Sequence, residues 1–155
     1  MLSWAVEYEP LFEPGFYDVP FAHFCERLHP LLVDGFNNSQ HRDILLRYLH
    51  ILLKKAESVH VFVEAWIDGS FVSKKEKPND VDIVLLYKGG IYLNSLSPSA
   101  RKTYQELQNL KSWKEEYYCD LRLVEIEEEL LKEYYQNFFG VDRANRPKGI
   151  IRIVF

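Results

Sequence analysis

Between Val61 and Leu86 the sequence VFVEAWIDGSFVSKKEKPNDVDIVLL joins two apolar runs of strand character through a short basic connection. Each run places special residues at its edge: Gly69 and Ser70 after the first, Asp80 and Asp82 at the start of the second. Successive side chains of a strand point to opposite faces, so Asp80 and Asp82 share one face, with carboxylates about 6 to 7 Å apart along the chain. Val81 and Ile83 take the other.

Two like charges beside Ile83, Val84, Leu85 and Leu86 repel more strongly than they would in water, because apolar surroundings lower the local dielectric. A positive charge is therefore expected between them. Hard divalent cations take oxygen ligands and keep waters that substrate phosphates can replace. The Gly-Ser bend adds backbone N–H groups and a hydroxyl, and glycine lets a phosphate oxygen approach without meeting a Cβ. The combination reads as a metal and triphosphate site.

Gly69-Ser70, nine intervening residues and Asp80-Val81-Asp82 resemble the G-S-x(n)-D-x-D signature of the nucleotidyltransferase superfamily that includes DNA polymerase beta. The resemblance implies a third carboxylate from a later neighbouring strand, and Cys119-Asp120-Leu121-Arg122-Leu123-Val124 is similar to that strand, with Asp120 as the acid. Pro14-Gly15, the GSFV details, Pro78-Asn79 and Arg146-Pro147-Lys148-Gly149-Ile150 also resemble a small bacterial branch of the superfamily. That wider likeness spans nearly the whole chain and implies fold and site rather than a substrate.

A chain of 155 residues is expected to be one domain, 1–155, too short for a catalytic domain plus a separate acceptor-binding domain. Nineteen Lys and Arg against 23 acids give a net charge of −4, which excludes the global basic field of a generic DNA or RNA binder. Cys25 and Cys119 lack metal-ligand spacing and are expected as free buried thiols in a reducing cytoplasm. The first residues lack the positive region of a signal peptide, and no apolar run approaches the roughly 18 to 20 residues that span a bilayer. A cytoplasmic protein with no membrane partner is the expectation.

Residues 1–19 mix Trp4, Tyr8, Phe12, Phe16 and Tyr17 with Pro10, Pro14 and Gly15, which reads as an extended aromatic arm. Its rings either pack on the body of the domain or form an oligomer contact. A helix is expected from Asp18 or Val19, limited by Pro30, and a longer one from Ser39 to Ala56, with Ser39 as N-cap and Arg42 where a capping box would place an acid. Further helices are expected over 98–111 and 127–139, and strands over 60–67, 80–87, 116–126 and 149–155. The fold class is α/β (α+β): a mixed sheet of about four strands with helices packed against it.

Several of these residues have a second reading. Asp120 shares its face with Arg122, so the two either form a structural ion pair or leave the acid for a metal. Lys74, Lys75 and Lys77 read as a solvated face before phosphate ligands. Lys148, between Pro147 and Gly149, is the better candidate for a phosphate or base contact, with Arg143, Arg146 and Arg152 as possible additions. Asp68 either reaches the site or shapes the turn. The histidines stand at no ligand spacing, and the tryptophans read as core.

The resemblance implies an enzyme that moves an NMP from an NTP, with ATP as the expected one, to an unidentified acceptor hydroxyl on a protein, a tRNA or a small molecule. Asp80, Asp82 and Asp120 would hold Mg²⁺ or Mn²⁺, and Gly69, Ser70 and Lys148 would bind the nucleotide. The alternative is a regulatory, nucleotide-binding module that acts through a protein partner.

Overall fold

A computed structural model describes residues 8–155. The described strands are β1 (Gly15–Pro20), β2 (Phe62–Asp68), β3 (Val81–Tyr87), β4 (Cys119–Glu125) and β5 (Gly149–Val154). They form one mixed sheet in the order β1-β5-β2-β3-β4. Among the described residues the helices are α1 (Phe24–Leu32), α2 (Gln40–Val59), α3 (Ile91–Asn94), α4 (Pro98–Leu107), α5 (Leu110–Tyr117) and α6 (Glu129–Phe139). No described helix is long and apolar enough to cross a membrane.

Alternation along each strand gives the sheet two unlike faces. Ile67, Ile83, Leu85, Leu121, Ile151 and Ile153 point into the main core, where α1, α2, α4 and α5 supply the covering residues. Trp66, Val84, Leu86, Val124 and Ile150 point the other way, under α6, in a much smaller cluster with Phe139. Asp68, Asp82 and Asp120 lie on this second face by the same alternation, since Asp68 opposes Asp82 and Asp82 opposes Asp120 across the ladder.

The helix expected from Asp18 is instead β1, an added fifth strand, paired in parallel with β5 from Gly15↔Gly149 to Pro20↔Val154. Pro20 closes this edge strand, Asp18 is held by Arg152 at 2.6 Å, and α1 begins only at Phe24. Pro30 sits inside the last turn of α1 rather than before it. The described part of the arm packs on the body: Phe16 lies 5.3 Å from Trp66, and Phe12 and Tyr17, stacked on each other at 4.6 Å, pack against the main core. Trp4 falls outside the described residues.

In α2 the expected cap is present, with Ser39 Oγ accepting from the Arg42 N–H. The helix expected over 98–111 breaks at Gln108, and Asn109 caps a new helix through the Ser112 N–H. Residues 116 and 117, expected in a strand, finish this helix, where Trp113 and Tyr117 pack one turn apart with ring centroids at 4.7 Å. Tyr118, at φ 55°, then turns the chain into β4. Cys119 is buried as expected, whereas Cys25 is exposed, since it falls on the outer side of α1 next to buried Phe24.

Candidate active site

β2 ends where β3 and β4 begin, and β5 begins beside them, so one end of the sheet collects four chain segments. A cavity of about 410 Å³ opens there, lined among others by Gly69, Ser70, Asp80, Asp82 and Lys148. Of the six expected site residues, these five reach one pocket. Asp120 stands beside it as the register partner of Asp82.

Gly69 holds φ at 83°, a left-handed conformation that glycine adopts without strain. A Cβ there would lie 2.2 Å from Asp82 Oδ2, so the Gly-Ser bend rests directly on the Asp82 carboxylate. The pairing of Gly69 with Asp82, thirteen positions apart in the sequence, is thus a packing requirement.

The acids share a single guanidinium. Arg122 Nη1 is 3.5 Å from Asp82 Oδ1, and Arg122 Nη2 is 3.4 Å from Asp120 Oδ2. Lys114 Nζ approaches Asp120 at 4.0 Å. Asp120 thus pairs with Arg122, as its ion-pair reading has it, and also neighbours the other two acids. Among the described residues no three His, Cys, Asp or Glu side chains are drawn together at metal-ligating distance.

Positive charge is nevertheless short at this end of the sheet. Burial, and then the neighbouring Asp80, push Asp82 up to about 6 even with Arg122 at hand. Asp80 is raised by burial and then by Asp120. Carboxylates of this kind are the hard oxygen donors that divalent cations take. Asp80, Asp82 and Asp120 are the residues that would hold one.

Asp68 carries the strongest electrostatic signal. It is fully buried, its Oδ1 accepts from the Gly69 N–H at 2.9 Å and from Lys148 Nζ at 3.1 Å, and its Oδ2 has no hydrogen-bond partner. Burial pushes this carboxyl up to about 8 against the pull of Lys148. The residue thus does both things its sequence position left open: it shapes the turn and it ties Lys148 to the Gly-Ser bend. Lys148 is delivered by a closed loop in which Asp142 accepts from the Arg146 N–H and Nε, and the Lys148 N–H donates to the Gly140 carbonyl. Gly149 follows because a Cβ there would lie 2.3 Å from the Glu13 carbonyl oxygen.

The aromatic residues Tyr8, Phe138 and Phe139 also line the pocket, together with Lys75. Lys75 leaves the solvated basic run expected of it, and its Nζ lies 5.8 Å from the Tyr8 ring. Lys74 instead makes an exposed pair with Glu9 at 2.8 Å. Sequence reasoning missed this aromatic lining, since Phe138 and Phe139 fit a helical core stripe equally well. It also missed the bridging position of Arg122 between two acids, which only the β3–β4 register reveals.

Fold and site together define a mixed-sheet α/β protein with an acid-lined pocket at one end of its sheet. By sequence the chain belongs to a family described as a family of unknown function (DUF6932), matched over residues 5–154. No curated protein and no solved structure matches the chain.

Proposed function

We propose that this protein is a metal-dependent nucleotidyltransferase that moves an NMP from an NTP to an acceptor hydroxyl. One observation carries the reading: Gly69 packs on Asp82, Asp82 opposes Asp120 on the next strand, and the Gly-Ser bend, Asp80, Asp82 and Lys148 open on one pocket. Mg²⁺ or Mn²⁺ held by Asp80, Asp82 and Asp120 would neutralise the triphosphate and acidify the acceptor hydroxyl.

The chain's own groups account for the rest. Gly69 and Ser70, with Lys148 held by Asp68, would grip the outer phosphates, fixing the leaving pyrophosphate in line with the attacking oxygen. Asp120, at the side of the pocket, would accept the acceptor's proton; the new bond forms at the α-phosphorus as its bond to the bridging oxygen of pyrophosphate breaks. Tyr8 and Phe138 offer faces for a base, and ATP is the NTP to try first.

A second reading, a regulatory module acting through a protein partner, has its own observation. Leu130, Tyr134 and Phe138 recur one turn apart on α6 and are 84%, 59% and 53% exposed, an apolar stripe that the chain itself leaves open. The two readings part in one experiment. Purified protein is incubated with each α-labelled NTP, Mg²⁺ or Mn²⁺ and a cell lysate, and label is sought in protein, RNA and small products. Transfer that disappears in Asp82→Asn supports the enzyme; no transfer with any NTP, or transfer unchanged in Asp82→Asn, overturns it.

A further inference from the structure

The segment from Gly69 to Asp80 forms one wall of the pocket, yet it contains only a short 3-10 turn, Ser70–Val72, followed by irregular chain. Its anchorage comes from the first turn of α2. Arg42 is completely buried, and the five hydrogen bonds of its side chain all end on backbone carbonyls. Nη1 donates to Leu32 at 3.2 Å and Phe71 at 2.9 Å, Nη2 to Ser73 at 2.8 Å and Lys75 at 2.6 Å, and Nε to Lys75 at 3.2 Å. Phe36 lies flat beneath the guanidinium, 3.6 Å from its carbon, and Phe71 lies at 5.2 Å. The neighbouring His41 donates from Nε2 to the Pro78 carbonyl, two residues before Asp80.

A buried cation whose bonds go to dipoles is a costly way to brace a core, because no opposite charge compensates its desolvation. Apolar packing would brace α1 against α2 at less cost. What the guanidinium achieves, and an apolar side chain does not, is to fix three alternate carbonyls of one irregular segment: residues 71, 73 and 75. With those carbonyls turned toward α2, Ser70, Ser73 and Lys75 line the pocket. Ser73 Oγ continues the bracing by donating to the Ser70 carbonyl at 2.6 Å and accepting from the Lys75 N–H at 3.2 Å.

We infer that Arg42 is a positioning residue: without touching ligand, it holds the Gly69–Lys75 wall in the shape that receives the phosphates of a nucleoside triphosphate. The inference rests on the nucleotidyltransferase reading above. Arg42 lies on the far side of the wall from the ligand, so its effect is on geometry alone.

The test uses the full chain, with Mg²⁺ plus inorganic triphosphate, and Mg²⁺ plus ATP, as probes in calorimetric titrations. Arg42→Ala and Arg42→Lys are compared with the unmodified chain well below their melting temperatures, where circular dichroism confirms folding. Triphosphate binding is expected to weaken about tenfold or more. Millimolar guanidinium is expected to restore much of it in Arg42→Ala and none in Arg42→Lys. Amide exchange at Val72 and Lys74 should accelerate while β4 amides keep their protection. Should neither variant fold, Phe36→Leu, which removes only the ring beneath the guanidinium, should show the same pattern more weakly. A lowered melting temperature with unchanged triphosphate binding would overturn the inference and leave Arg42 a structural brace. Absence of triphosphate binding by the unmodified chain would overturn the nucleotidyltransferase reading, and this inference with it.

Discussion

The two faces of the sheet are built from the same strands and do opposite things. On one, Ile83, Leu85, Ile67 and Ile151 are completely buried under four helices. On the other, the alternate residues of the same strands include Asp68, Asp82, Asp120 and Arg122, under the single helix α6. Stability thus resides mainly on the first face, which leaves the second able to carry charges that burial makes costly. That is a stability cost accepted for a site, and it makes the faces separable by mutation.

The largest effects should separate them outright. Asp82→Asn is expected to lower nucleotidyl transfer on the order of a thousandfold, because it removes a carboxylate that neutralises charge in the transition state through the metal. Its unfolding free energy should be unchanged or raised, since a carboxylate that resists ionisation has been replaced by a neutral amide. Leu85→Ala, three residues along the same strand, should cost about 2–5 kcal/mol in denaturant unfolding and reduce transfer only as far as it unfolds the chain. Equal loss of stability from the two would break the comparison.

A smaller effect comes from pH. Asp82 titrates at about 6 in the folded chain against about 3.9 for an unperturbed aspartate. Between those values the folded chain binds more protons than the unfolded one, so stability should fall as pH rises from about 4 to 6. Asp68, raised to about 8 by burial, should extend the fall toward pH 8. Asp82→Asn should lessen the slope between about pH 4 and 6, where Asp68 and Asp80 also contribute, and Mg²⁺ should flatten it, whereas Leu85→Ala should leave its steepness alone. Urea midpoints measured across this range, with and without Mg²⁺, would check the sign.

Smaller still in stability, Gly69→Ala should cost about 1–2 kcal/mol from the left-handed backbone alone. It sharpens the comparison because the new Cβ meets Asp82 and not the core. Transfer should therefore fall further than the lost stability explains, a split that thermal unfolding and initial rates on one preparation would expose.

Much of this division was legible in the sequence, because a period of two is visible without any structure. In DVDI and CDL, simple alternation sets Asp80 and Asp82, and Asp120, on the opposite face of their strands from Val81 and Ile83, and from Leu121. The Gly-Ser bend, Asp80 and Asp82 stood out at the edges of strand-like runs, whereas Asp120 came through the family resemblance and Lys148 through its place between Pro147 and Gly149. What the sequence hid was tertiary. β1 was obscured by Pro10, Pro14 and Gly15, and it exists as a strand through its pairing with β5, over a hundred residues later. Residues 116 and 117 suit strand or helix, and the helical arrangement is the one that packs Trp113 against Tyr117. Arg42 looked like a misfit in a capping position; the five bonds of its side chain reach two other segments of the chain, the end of α1 and residues 71–75, that no local pattern connects to it.

The most direct measurement is Mn²⁺ binding by electron paramagnetic resonance, in the presence of ATP, to the unmodified chain and to Asp82→Asn. The account predicts a protein-bound Mn²⁺ signal in the first that is lost in the second while the fold persists. Equal signals in both, or none in either, would contradict it.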